Sequence, residues 1–249
     1  MNEPACGLMT LPTFGMALLD WVQGGTEPEI IERDDGVIEI GAGPEVYLMD
    51  FDEWPSAEQA SFRYVQGRVA DVGCGGGRAA LHLQERGCDV VGIDSSPLAV
   101  KAARLHGVRK TRVVTVDRLV DSIRDYDTLI LFGNNLGVFG TPQRAKRILT
   151  SWAKKLPTGA RVLIESTNPS SNGVPVIDRD YCRRNREKGR SLGQCRLRVW
   201  YDRSPGKWFS WFFSSQSELK ALMRGTGWTL HTMLIGSPDE PYVAVYEVR

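Results

Sequence analysis

The sequence predicts an α/β protein with a doubly wound, seven-stranded, mostly parallel sheet whose last strand runs antiparallel. Two observations predict this fold. Between Arg68 and Asn168, short apolar runs alternate with segments of helical periodicity, which is typical of a parallel sheet covered by helices on both faces. Two further apolar runs joined by a turn follow near the carboxyl end and indicate an antiparallel hairpin. The length of 249 residues fits one large domain of this kind.

Residues 1–66 are expected to form a lead-in that caps the ligand site of a main domain over residues 67–249. A helix is predicted over Phe14–Gln23, a strand over Val37–Ile40 and a helix over Ser56–Val65. The last of these begins with a serine cap followed by an acidic residue, which is the usual start of a helix.

Five strands are predicted in the alternating part of the chain, and each is a short apolar run: Arg68–Val72, Asp89–Ile93, Arg112–Val116, Thr128–Phe132 and Ala160–Glu165. Ser96-Pro97 and Thr141-Pro142 each place a capping side chain before proline, so helices are expected to begin there. Apolar residues after Thr141 recur at helical spacing and predict a buried stripe. Its members are Ala145, Ile148, Leu149, Trp152, Ala153 and Leu156.

An insertion over about residues 169–214 is predicted to end in a hairpin, which would serve as a lid. Its strands are expected over Gln194–Asp202 and Lys207–Ser214, because Ser204-Pro205-Gly206 between them is a typical turn. A helix and the terminal hairpin follow, over Gln216–Gly225, Trp228–Ile235 and Tyr242–Arg249.

The charge balance restricts the partners. Lysine and arginine total 31 and aspartate and glutamate total 30, so the net charge is +1. Because proteins that bind nucleic acid through its phosphates usually carry a basic excess, nucleic acid is disfavoured as a partner.

The cysteines and the apolar runs bear on the compartment. Cys6, Cys74, Cys88, Cys182 and Cys195 form no CxxC pair and have no histidine at ligand spacing, so neither a disulfide framework nor a metal site is expected. The first residues show no basic run before an apolar stretch, and no run of about 18 apolar residues occurs. A cytoplasmic protein without a secretory signal or a membrane span is therefore expected.

The strongest motif is a glycine-rich turn that follows the first strand of the alternating part. It reads Asp71-Val72-Gly73-Cys74-Gly75-Gly76-Gly77-Arg78. Glycines let the backbone turn sharply and let a ligand approach where a side chain would block it. Asp94 lies 21 residues after Gly73 at the end of the next strand, where a carboxylate can accept both hydroxyls of a ribose. The pair predicts a nucleoside pocket.

Two details disfavour a dinucleotide. The dinucleotide fingerprint needs a small residue at its last position, where this chain has Arg78. Asp71 would repel a pyrophosphate, whereas it suits a ligand with an ammonium group. A cationic cofactor is favoured, and a nicotinamide-dependent oxidoreductase is the alternative from a different class.

The segment Asp71–Gly77 followed by Gly92-Ile93-Asp94 resembles the class I S-adenosylmethionine-dependent methyltransferases, whose Rossmann-like fold has a reversed last strand. The resemblance covers about Arg68–Asn168 and the terminal hairpin. It implies S-adenosylmethionine as cofactor, S-adenosylhomocysteine as product and no metal. The residues that it assigns to the cofactor, from the methionine end to the adenine, are Asp71, Gly73, Cys74, Gly75, Gly77, Asp94, Ser95, Asp117, Arg118 and Leu119. Arg78 either reaches the cofactor carboxylate or forms a surface salt bridge.

The segment Phe132-Gly133-Asn134-Asn135-Leu136 is similar to a loop of glycine N-methyltransferase-like enzymes that borders cofactor and acceptor. Asn135 stands where those enzymes have serine. The similarity assigns Gly133 and Asn134 to the cofactor and Asn135 to the acceptor. The NPPY or DPPY segment of enzymes that methylate nucleobases or glutamine amides is absent from the sequence, which disfavours those acceptors.

The predicted lid hairpin is rich in aromatic residues. If it covers the crevice, Trp200 and Trp211 would form an apolar wall for an organic acceptor. The alternatives for these aromatics are ordinary core packing and a homodimer surface. His82, Tyr47 and Tyr201 are the candidate general bases, and His82 lies about one turn after Arg78 on the same predicted helix.

These observations predict methyl transfer to oxygen or nitrogen of a small organic molecule by in-line displacement. Such a reaction depends on positioning more than on acid or base catalysis. One alternative is a protein, peptide or RNA acceptor bound by the basic run Arg183–Arg190, whose other interpretation is a solvated helix face. Another is a non-catalytic S-adenosylmethionine-binding protein.

Overall fold

The computed structural model describes residues 12–172, 174 and 176–249. Cys6 therefore lies outside the described residues. The strands are β1 (Ile30–Arg33), β2 (Ile38–Ile40), β3 (Val69–Val72), β4 (Val90–Asp94), β5 (Thr111–Val113), β6 (Thr128–Leu131), β7 (Arg161–Ser166), β8 (Gly193–Tyr201), β9 (Ser204–Pro205), β10 (Phe209–Phe213), β11 (Trp228–Leu234) and β12 (Tyr242–Val248). The α-helices are α1 (Pro12–Trp21), α2 (Pro44–Tyr47), α3 (Ser56–Ser61), α4 (Arg78–Glu85), α5 (Pro97–His106), α6 (Val116–Leu119), α7 (Pro142–Ala153), α8 (Arg179–Glu187) and α9 (Gln216–Met223).

Seven strands form the main sheet in the order β11-β12-β7-β6-β3-β4-β5. β3 through β7 pair in parallel, whereas β12 runs antiparallel to both β7 and β11. The predicted mostly parallel sheet with a reversed last strand is confirmed. The strand order reverses beside β3, which has β4 on one side and β6 on the other. Ligands bind at such a switch point, outside the carboxyl ends of the strands.

Apolar packing holds the main sheet between its helices. Every residue of β3 and β6 is buried, as expected for strands covered on both faces. The stripe predicted on α7 is buried against this sheet, and Trp152 at its centre has no exposed surface. Thr141 caps α7 through its side chain, and Ser96 caps α5 in the same way, as the Ser-Pro and Thr-Pro pairs predict.

A second, antiparallel sheet has the order β10-β8-β1-β2, and β9 pairs with β8. The hairpin predicted within residues 169–214 is present, because Phe209 pairs with Leu197 and Trp211 with Cys195 across β10 and β8. The lead-in supplies the other half of the sheet, since Ile31 of β1 pairs with Val199 of β8. β1 is too short, and its two adjacent isoleucines alternate too poorly, for periodicity to reveal it.

Of the predicted elements that are shorter in the structure, two show a local cause. β5 ends at Val113, because the chain turns through Thr115 into α6. The helix predicted over Ser56–Val65 stops at Ser61 and continues as one 3₁₀ turn, Phe62–Tyr64. No helix in the described part of the chain has the length and apolar character needed to cross a bilayer.

Candidate active site

A cleft lies between the carboxyl ends of the central strands and the inner face of the second sheet. It consists of two cavities with empty volumes of about 1070 and 800 Å³, including the parts open to solvent. The first extends from the glycine turn to the second sheet, and the second extends along the ends of β4 and β5. Both are lined by Phe14, Gly73, Gly75, Asn135 and Trp211. One ligand can therefore reach from one cavity into the other.

The glycine turn needs its glycines for backbone conformation and for space. Gly73, Gly75 and Gly77 have φ angles of 79°, 53° and 84°, which favour glycine. A Cβ on Gly73 would lie 2.5 Å from Nδ2 of Asn135. Gly73, Cys74 and Gly75, which the sequence analysis assigns to the cofactor, all line the first cavity.

Gly77 serves the packing of the turn. It lines neither cavity, and a Cβ there would lie 2.6 Å from Cγ2 of Val108. Gly77 therefore lets the start of α4 pack closely against Ala103 of α5 and Val108. The adjacent Gly76 lines the first cavity.

Asp71 presents a buried carboxyl group to the first cavity. It is 3% exposed, and its Oδ2 accepts a hydrogen bond from the Ala80 N–H at 3.2 Å. Burial raises the pKa of Asp71 to about 7, although the charge of Arg78 and the Ala80 N–H oppose the shift. A cationic ligand beside Asp71 would favour its ionised form.

Asp94 lies at the end of β4 and lines the second cavity, next to Ser95. Its Oδ2 accepts from the Gly75 N–H at 3.1 Å, and its Oδ1 accepts from the Ser96 N–H at 2.8 Å. Burial raises the pKa of Asp94, and these N–H groups lower it. The carboxylate thus connects the glycine turn to the start of α5 and faces the cavity between them.

Of the three residues assigned to adenine, one lines the second cavity. Asp117 lies there with Thr115 and Val116, and its carboxylate forms an ion pair with Arg144. Arg118 points to solvent with its side chain 81% exposed, and Leu119 is fully buried in the core. Consecutive residues of a helix point about 100° apart because a turn takes 3.6 residues, so α6 cannot aim all three at one pocket.

Arg78 belongs to a buried cluster of charged groups. Its Nη2 donates to both carboxylate oxygens of Glu58, at 2.8 and 3.1 Å, and its guanidinium carbon lies 4.3 Å from the centre of the Trp54 ring. Its Nη1 is buried and has no hydrogen-bond partner among the described residues. Arg78 also lines the first cavity, so this unpaired N–H group is available to an anionic part of a ligand there.

The carboxyl groups of Glu58 and Glu165 are hydrogen-bonded to each other beside Arg78. Burial, followed by the charge of Glu165, raises the pKa of Glu58 to about 8, and Arg78 offsets part of this shift. Burial also raises the pKa of Glu165. Two buried carboxyl groups in contact keep a proton between them. Neither residue lies in a motif, so no sequence pattern indicated this cluster.

Glu165 fixes the loop after β6. Its carboxylate accepts from the N–H groups of Gly133 and Asn134, at 2.9 and 3.1 Å. Asn135 donates through Nδ2 to the carbonyl oxygens of Val72 and Gly73, at 3.1 and 2.7 Å. All three loop residues assigned from the sequence line the first cavity, and Asn135 ties their loop to the glycine turn.

The apolar wall of the first cavity comes from alternate residues of the second sheet. Trp211, a candidate acceptor-binding residue, lines it, and so do Phe209 and Phe213 on the same strand. A Cβ on Gly137 would lie 2.0 Å from the Trp211 ring, so the ring packs directly against that backbone. The other apolar residues of the wall are Phe14, Ile31, Phe132, Val176, Leu197 and Val199.

Trp200 lies on the opposite face of β8. Its Nε1 donates to Oε2 of Glu32 at 2.6 Å, and Arg198 stacks on its ring at 4.7 Å. Because side chains alternate along a strand, Leu197 and Val199 face the cavity and Trp200 cannot. The structure therefore places Trp200 outside both cavities. The alternation of apolar and polar residues along β8 is the sequence signal that distinguishes the two faces of the strand.

The three candidate bases occupy different places. Tyr47 lines the first cavity, and its ring stacks on Trp21 at 5.4 Å. His82 stacks on Phe51 at 3.9 Å and lines neither cavity, and burial lowers its pKa.

Tyr201 also lies outside both cavities. Its hydroxyl donates to Oδ2 of Asp20 at 2.6 Å, which ties β8 to α1. Of the three candidates, only Tyr47 is placed where an acceptor could contact it.

Glu29 is a carboxylate in the first cavity that the sequence did not indicate. It directly precedes β1, is 1% exposed and lines the same cavity as Asp71 and Tyr47. In the residues that the structure describes, no group of three or more His, Cys, Asp or Glu side chains is arranged to hold a metal ion.

The basic run is remote from the cavities. It lies mostly on α8, where Arg183 pairs with Asp180 at 3.0 Å and with Glu187 at 3.9 Å. Arg184 forms an ion pair with Asp35 of the lead-in. These contacts describe a solvated helix face whose charges are partly balanced by neighbouring carboxylates.

A Rossmann-like α/β domain with an additional antiparallel sheet is the class that this fold defines. The family model of a methyltransferase domain matches residues 56–233, and the chain belongs to this family. The resemblance to class I S-adenosylmethionine-dependent methyltransferases, inferred from the glycine turn and Asp94, is confirmed.

Solved structures share the fold. An S-adenosylmethionine-dependent methyltransferase from Bacteroides fragilis, crystallised with S-adenosyl-L-homocysteine, superposes with a TM-score of 0.76 at 23% identity and covers 97% of this chain and 98% of its own. A methyltransferase from Methanosarcina mazei superposes with a TM-score of 0.60 at 18% identity, over 76% of this chain and 96% of its own.

Curated relatives match part of the chain. A ubiquinone biosynthesis O-methyltransferase from Xanthomonas oryzae pv. oryzae is 30% identical over 133 residues, which are 49% of this chain and 53% of the relative. One from Alkalilimnicola ehrlichii is 45% identical over 60 residues, 22% of this chain and 24% of the relative. The chain thus spans about half the length, or less, of these relatives.

Proposed function

We propose that this protein transfers a methyl group from S-adenosylmethionine to oxygen or nitrogen of a small, largely apolar organic molecule by in-line displacement. The observation that carries the proposal is the pair of adjoining cavities. One has carboxylates suited to a cationic nucleoside, the other has an apolar wall, and the two meet at the glycine turn.

The residues present fit the cofactor. The buried carboxyl group of Asp71 and the unpaired Nη1 of Arg78 suit a methionine end with its ammonium and carboxylate groups. Asp94 suits the ribose, and the segment around Asp117 suits the adenine. When bound, S-adenosylmethionine supplies a methyl group activated by its sulfonium charge.

The acceptor is proposed to bind against the second sheet. Leu197, Val199 and Trp211 offer an apolar surface, and Glu58 holds the guanidinium of Arg78 in the same cavity, so a neutral organic molecule is favoured over a polyanion. The curated relatives are named as O-methyltransferases, which makes a hydroxyl oxygen the first atom to test.

The protein contributes position and shielding. The lid sheet covers the reacting centre, which excludes water and strengthens charge interactions there. Asn135 links the loop after β6 to the glycine turn, so the two walls that would contact donor and acceptor are held at a fixed separation. Fixed positions of this kind recover much of the entropic part of the barrier.

We further propose that residues 1–66 act as a cap and that residues 169–214 act as the acceptor lid. The pairing of β1 with β8 supports a joint action of the two segments. We also propose that the protein is cytoplasmic, which cell fractionation tests, and that it forms a homodimer, which light scattering tests.

Calorimetric titration of the purified chain with S-adenosylmethionine, S-adenosylhomocysteine and NAD in parallel tests the proposal. We expect micromolar binding of the first two, about −8 kcal/mol or tighter, and no binding of NAD. Selective binding of NAD would overturn it. Mass spectrometry of a panel of phenols and amines after incubation with S-adenosylmethionine then identifies the acceptor class.

A further inference from the structure

Glu29 is a buried carboxylate with one oxygen left unpaired. Its Oε2 accepts from the Gly43 N–H at 3.0 Å. Its Oε1 is buried and accepts no close, well-aligned hydrogen bond from the described part of the chain. Burying a carboxylate oxygen without a donor is costly. Because Glu29 lines the first cavity, the missing donor can come from a ligand there.

The local backbone holds this carboxylate in place. The Gly41 N–H donates to the Glu29 carbonyl at 2.7 Å, and a Cβ on Gly41 would lie 2.1 Å from Cδ of Glu29. Ile31, two residues further along, also lines the first cavity, as strand alternation requires. Glu29 is therefore fixed on the inner face of the lid sheet, among the apolar side chains of the acceptor wall.

The charged and titratable groups around Glu29 are few. Burial raises the pKa of Tyr47, and the charge of Glu29 and a hydrogen bond from the Tyr47 phenol to Glu29 raise it further, so the phenol stays neutral. Arg78 also lines this cavity, but Glu58 holds its guanidinium through two hydrogen bonds. Asp71 lies on the glycine turn side of the cavity and adds negative charge. An anionic acceptor would meet repulsion here, whereas a neutral molecule that donates a hydrogen bond would be stabilised.

Resting on the proposed function, we infer that Glu29 is a catalytic residue that accepts the proton of an aromatic hydroxyl group. The aromatic ring of the acceptor packs on the wall around Trp211, and its O–H donates to Oε1 of Glu29. In the reaction the acceptor oxygen forms a bond to the methyl carbon, and the bond from carbon to sulfur breaks with its electron pair left on sulfur. The hydroxyl proton passes to Glu29, so charge and atoms balance.

Catechol and the variant Glu29→Gln test this inference. The amide keeps the size and the hydrogen bond to Gly43 but cannot take up the proton. In the complex with S-adenosylhomocysteine, we expect catechol to bind about fivefold more weakly to the variant, with the affinity for S-adenosylhomocysteine itself unchanged. With S-adenosylmethionine, kcat should fall about 100-fold, the lower range for loss of a general base. At saturating S-adenosylmethionine, which holds Asp71 ionised, the acidic limb of the kcat profile should disappear.

Glu27→Gln is the matched control. Glu27 is exposed, lies two residues away and lines neither cavity, so this variant should behave as the wild type. If Glu29→Gln does not fold, Glu29→Asp keeps the charge and withdraws it by one methylene. Its kcat should then fall about tenfold while the acidic limb is retained.

The results separate this inference from the proposed function. If the wild type binds S-adenosylhomocysteine but neither binds nor methylates catechol, the inference is overturned. The same holds if Glu29→Gln, or Glu29→Asp in its place, has the kcat and pH profile of the wild type. Failure of the wild type to bind either S-adenosyl compound would instead overturn the proposed function, and this inference with it.

Discussion

Replacing Asp94 by asparagine should weaken cofactor binding strongly and lower stability only slightly. The carboxylate lies at the end of β4 and lines the second cavity, where a ribose is expected. Asparagine has the same shape but carries no charge and has one acceptor oxygen in place of two. The change therefore removes the charge that would strengthen hydrogen bonds to two ribose hydroxyls.

The magnitude follows from the contacts of Asp94. A hydrogen bond to a charged group contributes about 1.5–3 kcal/mol, so the loss should raise the Kd for S-adenosylhomocysteine about 10- to 150-fold. In the free protein Asp94 accepts from the N–H groups of Gly75 and Ser96, and the single amide oxygen can serve one of them. The lost backbone contact should cost about 1 kcal/mol, or roughly 2–4 °C in Tm for a protein of this size.

Calorimetric titration and thermal denaturation measure the two effects separately. Asp125→Asn is the control, because Asp125 is exposed and lines neither cavity. The control should match the wild type in both assays. An Asp94→Asn variant that binds S-adenosylhomocysteine as tightly as the wild type would show that the ribose lies elsewhere. A variant that unfolds at much lower temperature would show that Asp94 is mainly structural.

Three further predictions concern the buried groups around the cleft. Because burial raises the pKa of Asp71 to about 7, the ammonium of S-adenosylmethionine should displace its proton on binding. The affinity for S-adenosylmethionine should therefore rise with pH up to about 7. Calorimetry at pH 6.5 in two buffers of different ionisation enthalpy should show proton release on binding, and Asp71→Asn should abolish it. Equal heats of binding for the wild type in the two buffers would contradict this. Gly137→Ala should displace the Trp211 ring, which a Cβ would approach to 2.0 Å, at a cost of about 1–3 kcal/mol and with weaker S-adenosylhomocysteine binding; an unchanged Tm and Kd would argue against that packing. The stability that protonated Glu58 contributes should be full below its ordinary pKa of 4.5 and lost as the pH rises through about 8. Urea denaturation at pH 6 and pH 9 should therefore show a larger decrease in the free energy of unfolding for the wild type than for Glu58→Gln. Equal decreases would contradict the assignment.

Local sequence signals were sufficient for the main sheet. Its central strands are short, mostly apolar runs separated by capped helices. The start of α7 at Thr141-Pro142 and its buried stripe are likewise encoded by residues close together in the sequence. The second sheet was harder, because β1 and β8 come from segments more than 150 residues apart. No local pattern indicates which distant strand completes a hairpin.

The cofactor side of the site could be predicted because it follows a motif. Asp71, Gly73 and Asp94 occupy strand ends, which parallel pairing brings to one edge of the sheet. The acceptor side depends on which face of each strand turns inward. Trp200 was selected for its aromatic ring, but it lies on the face of β8 that points away from the cavity. The alternation of residues along β8 places Leu197 on the face that lines the cavity.

Glu29 and Glu58 illustrate what a single sequence does not reveal. Both are acidic residues that ordinary composition places at the surface, yet they are 1% and 0% exposed. Their burial depends on partners that lie far away in the chain or across the cleft. The ion pair between Glu58 and Arg78 and the packing of Glu29 against Gly41 can be identified only from the three-dimensional structure.

A crystal structure of this chain with S-adenosylhomocysteine tests the central claim most directly. We expect the ribose hydroxyls within hydrogen-bonding distance of Asp94 and the amino acid end of the ligand against Asp71 and the glycine turn. Electron density for the ligand outside this cleft, or an empty cleft at saturating concentration, would contradict the claim.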